Sequence, residues 1–427
     1  MKSPETFPVT AGDINIYHAR LIADQQITFV LEFSESLDIG KLTTALSVLH
    51  EALPILSSVI RINSSRLQRV RIPGYQPAVS VASEPVDRAQ GIVRFIGTPC
   101  DPEREPPTKL LLLRKNGEDT LCFKIDHLLS DAAGLSYLLS LFAEAYTEAR
   151  ISQAISHDRG FGQVFRRFSP ITLVRSAWKA NLPTPGPALV RAPFEAENTF
   201  IEHVFLERGQ FEEIESEAKR HNATINDVLL AGLYQAIFKH LTPGDPMRYP
   251  VMVPVDMRRY LPEGQRGVIA NLSSAVFPSL ARIPNESFGG TLNRVKACMD
   301  ELKQDYPGLG AMTLMVMGAL WGGKILRKKY RQAVRRDSRF FNYTNFGIMD
   351  ETRLAFEQIS IKRAYGVGPI QYAPGILIAL STYRSTLHFV VQGKGDEQFQ
   401  NFVRQFLGAI LSALGNISSR KPPDLDR

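Results

Sequence analysis

Residues 121–146 constrain the fold most, because the hydrophobic period changes inside them. Leu121, Phe123 and Ile125 alternate with Cys122, Lys124 and Asp126, which predicts a strand. From Leu135 the period is helical, and Leu138, Leu139, Phe142 and Tyr146 continue the same face. The turn between them, Asp126-His-Leu-Leu-Ser-Asp-Ala-Ala-Gly134, holds the sole His-x-x-x-Asp of the chain, His127 and Asp131. A side chain on a short turn between two packed elements is held firmly. A general base needs that, because proton transfer requires hydrogen-bond reach to its target.

The pair suits acyl transfer. A neutral imidazole takes the proton from an alcohol or amine as that group attacks a thioester carbonyl, and no protein nucleophile is required. Asp131 has two available roles: orienting the histidine, or locking the turn through an arginine elsewhere in the chain. The competing reading is a chance spacing among eight histidines, against which the strand-turn-helix setting argues.

The segment resembles the His-His-x-x-x-Asp-Gly motif of the chloramphenicol-acetyltransferase-like superfamily. That group includes peptide condensation domains, polyketide-associated and alcohol O-acyltransferases, and wax-ester synthases. Further segments agree in order. Leu37–Leu46 followed by Leu53–Leu56 is similar to the first helix and the strand after it, and Pro99–Pro107 to the loop before the motif strand. Thr224–Leu230 is similar to the start of a central helix, Pro254–Tyr260 with Asn271–Ser274 to an Asp-x-Arg loop and its strand, and Tyr343–Gly347 to a late Asn-x-Gly segment.

The resemblance implies an α/β (α+β) fold of two such lobes in a V, with a central channel and His127 near its middle. It makes His127 and Asp131 the catalytic pair, with Asp126, Gly134 and Arg258 as supporting residues. Arg258, in the Asp256-x-Arg258 turn after an apolar strand, is the expected partner of Asp131. Two positions depart from the family pattern: Asp126 replaces the first histidine, and Ala132 replaces the glycine after the aspartate. They keep a non-catalytic partner-binding homologue open as an alternative.

Acyl transfer also needs a donor aimed at the carbonyl oxygen. Asn345 is the preferred candidate, beside Ser273, Ser381 and the backbone near Ala132. A turn or cap role at the strand end competes for Asn345.

At 427 residues, two lobes are the expectation. Prolines 183, 185, 187 and 193 mark the boundary, which gives lobes 1–180 and 198–427 joined by a linker, 181–197. Strands are predicted over 200–206, 249–255 and 272–277, a polar helix over 211–221, a helix from Thr224 and a hairpin over 375–392. A C-terminal helix follows over 397–414, and the other histidines, such as His203, His240 and His388, read as surface or satisfied strand residues. Hydrophobic residues make up 44% and charged residues 22%, as in globular proteins. Cys100, Cys122 and Cys298 form no close pair, so neither a disulfide framework nor a metal site is expected, and a cytoplasmic setting is. The first residues carry no apolar signal core.

The net charge of +7 is concentrated in one place. Residues 320–340 carry Lys324, Arg327, Lys328, Lys329, Arg331, Arg335, Arg336 and Arg339 against the single acid Asp337, which predicts one basic helix. Three partners fit it: the phosphates of coenzyme A, the acidic face of a carrier protein, or anionic lipid. A solvated helix face is the plain alternative. The preceding run, 307–323, has no charged residue and five glycines, and reads as a buried or channel-lining helix or a membrane-surface segment. No nucleotide-binding, zinc-protease or nucleophile-elbow motif is present, and nothing points to nucleic acid.

The resemblance therefore predicts an acyltransferase with no bound cofactor and no metal, acting as a monomer. Its co-substrate is a coenzyme A thioester or a phosphopantetheinyl carrier acting in trans. Its acceptor is a small molecule or a lipid, with possible peripheral membrane contact. Free-standing amide condensation is the neighbouring alternative.

Overall fold

In a computed structural model, the described residues are all but 1–4, 64–65, 84–86, 181, 183–188, 190–197, 242–246, 321–322, 336–340 and 416–427. The strands that place the site are, in chain order, β1 (Gln26–Phe33), β2 (Thr108–Lys115), β3 (Glu118–Asp126), β4 (Thr199–Leu206), β5 (Arg248–Asp256), β6 (Ser273–Val276), β7 (Phe341–Ile348), β8 (Ile361–Val367), β9 (Leu377–Tyr383) and β10 (Thr386–Lys394). The helices are α1 (Ala11–Ala19), α2 (Ala132–Glu148), α3 (Pro170–Lys179), α4 (Leu309–Leu320) and α5 (Lys324–Arg335).

Two sheets carry the molecule. The first runs β8-β1-β3-β2 and ends on Val79–Ser83; the second runs β6-β5-β7-β9-β10, with β4 also on β10. Neither sheet is built from one segment of chain. β8 pairs antiparallel with β1, while Ala23–Asp24 pairs with Ile370–Tyr372 in the second sheet. The expected linker falls mostly outside the described residues, which include only Leu182 and Leu189 of it.

β3 is the centre of the first sheet, between β1 and β2. Leu121, Phe123 and Ile125 pack with Leu135, Leu138 and Phe142 of α2. The second face of β3 is buried as well. Val30 and Cys122 share a cluster with Leu377, Ala379 and Val390 of the second sheet. The polar members are satisfied one by one: Lys124 is fully buried and its ammonium donates to the carbonyls of Phe95 and Thr98. A buried charge without such acceptors is strongly unfavourable.

Most expected elements are present with ends shifted by a few residues. The helix from Thr224 has the reciprocal Thr224–Asp227 capping box. One expectation fails locally. Leu53–Leu56 does not open a strand: Pro54–Ser57 is a single 3-10 turn, with proline at its start, and the strand begins at Ser58. The single basic helix expected over 320–340 is α5 alone; Arg336, Asp337 and Arg339 lie outside the described residues. His240 is helical, not in a strand, and its ring packs on Phe402 and Phe406.

Candidate active site

β3 stops at Asp126 and α2 starts at Ala132, so the motif turn is five residues long. Its backbone is fixed by the first sheet on one side and by the second half of the chain on the other. The His127 N–H donates to the Gln25 carbonyl at 3.0 Å, and the Asp131 N–H to the Ala270 carbonyl at 3.3 Å.

The histidine's own partner is Asn271. Its side-chain oxygen lies 3.0 Å from His127 Nδ1. The amide nitrogen of Asn271 donates to the His127 carbonyl at 2.8 Å and to Asp13 Oδ1 at 3.0 Å. Both of those partners are acceptors, so they fix which end of the amide is nitrogen. The oxygen then faces Nδ1 and can only accept. Nδ1 must carry the proton, and Nε2 of the neutral ring is left as the base.

Asn271 is itself held. Asp13 is fully buried, caps α1 reciprocally with Thr10, and takes both arms of Arg159 at 3.0 and 3.2 Å. Arg159 also donates to the carbonyls of Leu129 and Ile269, at 2.7 and 3.2 Å. One guanidinium therefore joins α1, the motif turn and the segment leading to Asn271. A Cβ on Gly12 would stand 2.7 Å from the Asn271 carbonyl oxygen, so α1 comes this close only because residue 12 is glycine.

Asp131 does a different job. It caps α2 by accepting from the Gly134 N–H at 3.0 Å. Its second oxygen accepts from Arg258 at 3.0 Å, the Leu272 N–H at 2.7 Å and the Ser273 hydroxyl at 3.0 Å. Of the two roles open from sequence, the structure shows the arginine lock. Burial alone would raise the Asp131 carboxyl, but the Arg258 guanidinium and the Gly134 N–H hold it below the usual carboxylate range. Arg258 also reaches Asp256 at 3.0 Å and the carbonyls of Val268 and Ala270 at 3.0 and 2.8 Å. A Cβ on Gly134 would meet the Ser130 hydroxyl at 1.9 Å and Arg258 at 3.1 Å.

Asp126, in the place of the family's first histidine, is equally occupied. It pairs with Arg20 at 2.7 Å and accepts from the Leu128 N–H at 2.8 Å. The carboxylate thus holds the turn that His127 sits on.

Of the expected oxyanion side chains, Ser273 and Ser381 are engaged elsewhere, while Asn345 is exposed and engages its side-chain oxygen locally. Ser273 donates to Asp131, and Ser381 is fully buried and accepts from the Gly366 N–H at 3.2 Å. Asn345 accepts from the Gly347 N–H at 2.8 Å, which is the strand-end turn role. Ala132 is the first residue of α2, so the N–H groups of that helix's first turn belong to the same turn as His127. Lys324, Arg327, Lys328, Lys329 and Arg331 lie exposed on α5, which touches α1 but makes no hydrogen bond to His127 among the described residues.

Sequence reasoning missed Asp13, Arg159 and the role of Asn271. The Thr10-x-x-Asp13 spacing was a readable capping signal. Nothing local marks Arg159.

Among solved structures, the first condensation domain of the calcium-dependent antibiotic synthetase matches at TM-score 0.71 and 18% identity, over 97% of both chains. The chain has the two-lobed chloramphenicol-acetyltransferase-like fold. Polyketide synthase associated protein 5 from Mycobacterium tuberculosis shares this fold at TM-score 0.68 and 15% identity, over 96% of this chain and 98% of that one. So does the epimerization domain from the third module of tyrocidine synthetase B, at TM-score 0.65 and 15% identity, over 98% and 99%. No sequence family and no curated protein matches the chain.

Proposed function

We propose that this protein transfers an acyl group from a thioester to a hydroxyl or amine, with His127 as general base. The observation that carries the reading is the Asp13–Asn271–His127 chain, which puts a proton on Nδ1 and so makes Nε2 the nitrogen that can take one from a substrate. Nε2 removes the acceptor's proton as its oxygen or nitrogen bonds to the thioester carbon. The carbon–sulfur bond then breaks, and the imidazolium returns the proton to the leaving thiolate. The general base contributes about 10²–10⁴-fold, and alignment of the two substrates supplies much of the rest.

The donor in this reading is coenzyme A or a phosphopantetheinyl carrier in trans, and it is a co-substrate, not a resident group. The solved relatives named as condensation domains support a carrier-linked donor, and the polyketide-associated relative supports a lipid or natural-product setting. The Asp126 carboxylate is paired and keeps the turn in place, so the departure at this position leaves His127 positioned.

Thiol release from a panel of acyl-coenzyme A and acyl-carrier donors, with alcohol and amine acceptors, tests the reading. Acceptor-dependent release by the wild type that disappears in His127→Ala is expected. Release that persists in the variant removes His127 from the mechanism.

A further inference from the structure

Away from His127, the helices α3, α4 and α5 form a surface of unusual character. None of the ten residues of α3 is buried. Ile171, Val174 and Trp178 recur at helical spacing and are 80%, 70% and 87% exposed. An apolar stripe facing water on a packed helix is the reverse of the ordinary arrangement. The opposite face of α3 is the one that packs, since a Cβ on Gly310 of α4 would meet the Ser176 carbonyl at 2.2 Å and Ala180 at 2.8 Å.

α4 adds Leu320 at 78% exposure and Met317 at 53%, both in its last turn. The chain then bends by 108° into α5. On α5, Lys324, Arg327, Lys328, Lys329 and Arg331 are exposed. Apolar side chains project here from one pair of helices, and cations line the next.

We infer that this α3–α4–α5 corner docks on an anionic lipid surface. Trp178 and the aliphatic side chains would enter the acyl boundary, where an amphipathic ring is well placed, and the α5 cations would meet the headgroups. The apolar groups project outward instead of lining a groove, which suits insertion into a fluid layer better than a rigid protein partner. No single helix is long and apolar enough to cross a membrane; α4 and α5 meet that criterion only as a pair, and the pair is bent by 108°. The corner is joined to the candidate active site through α1. Tyr330 of α5 donates to Asn15 of α1 at 3.1 Å, and α1 carries Asp13. The inference does not depend on acyl transfer, because it rests on the surface alone.

Flotation with vesicles of phosphatidylcholine, with and without phosphatidylglycerol, tests it on the full chain. Binding to the anionic vesicles at low salt, reversed by high salt, is expected, with a blue shift of tryptophan emission. Ile171→Ser/Trp178→Ser should abolish flotation with unchanged melting and circular dichroism, since both side chains are exposed. Lys328→Glu/Arg331→Glu should weaken it by at least about 25-fold, from roughly fivefold per lost cation. Folded wild type that stays with the pellet at low salt overturns the inference. So does flotation that is equal on neutral vesicles, or retained in the α3 variant. Binding of an acidic carrier protein through these residues, without vesicle binding, overturns it in favour of a protein partner.

Discussion

Two histidines sit close to the junction of the two sheets, and the difference between them shows what a candidate base requires. His127 is half-buried, and its Nδ1 is matched to an amide oxygen that can only accept, so Nε2 is the free nitrogen. His388 is fully buried on β10. Its Nδ1 lies 2.9 Å from Nε2 of His203, Tyr365 stacks against both rings, and its own Nε2 has no partner. Burial, then His203 and Arg363, push His388 down to about 3. The first site fixes a tautomer and leaves access; the second has burial without access. A depressed histidine in the interior is therefore not by itself a sign of chemistry.

The sharpest way to break this comparison is to exchange the two sites' fortunes. His127→Ala should lower turnover by about 10²–10⁴-fold with little change in melting. His388→Phe keeps an aromatic ring beside Tyr365 and should leave turnover per folded molecule unchanged. Loss of activity in the second variant, measured by thiol release at equal folded fraction, would mean that the buried pair is part of the mechanism.

The next effect is in stability. Arg258 is 4% exposed and locks Asp131, Asp256 and two carbonyls, so Arg258→Ala strands a buried carboxylate and should cost about 3–5 kcal/mol by denaturant titration. The contrast is Arg404, whose side chain is 56% exposed in its pair with Glu202; Arg404→Ala should cost about 1 kcal/mol or less. Equal losses in the two variants would show that the lock carries no special weight.

Asn271→Leu should give a smaller but more diagnostic change. It removes the acceptor that holds the proton on Nδ1, so turnover should fall, but by less than the roughly 10²–10⁴-fold lost with the base itself. A merely structural asparagine would lower stability and leave turnover per folded molecule intact. Asparagine restored in a revertant should recover the rate, whereas Asn271→Asp, with no amide to donate, should not.

Much of this was readable from the chain, for reasons that differ by residue. The β3–turn–α2 unit was legible because its period changes from two to 3.6 within a few residues. Arg258 was legible because Asp256-x-Arg258 follows an apolar strand. Asn271, Asp13 and Arg159 were not, because their meaning lies in partners up to 258 positions away, such as Asp13 with Asn271. The cover over the Cys122 face of β3 was not legible for the same reason: it comes from the second sheet, and no periodicity within β3 records that. The exchange of β8 into the first sheet is equally silent in local pattern.

The smallest effect separates the histidines by pH. Burial lowers His50 to about 4, and burial with His203 and Arg363 lowers His388 to about 3, against an ordinary value near 6.5. Above about pH 6.5 both are neutral in folded and unfolded chains, and the full stability is present. Below that, the unfolded chain binds protons that the folded chain refuses, so stability falls with falling pH by about 1.4 kcal/mol per unit for each histidine. The fall continues to the folded values, near pH 4 for His50 and pH 3 for His388. Asp131 acts in a lower window. Its folded value is depressed, so its contribution is complete above its unfolded value near 4 and is lost as the pH drops further. Denaturant titrations between pH 7 and 5 therefore read the buried histidines, His203 at about 4 among them. His388→Phe should flatten the slope by up to one proton's worth in that window. An unaltered slope would mean that the His203–His388 pair opens to water before the rest of the fold, and the distinction between a sealed histidine and an accessible one would have to be redrawn.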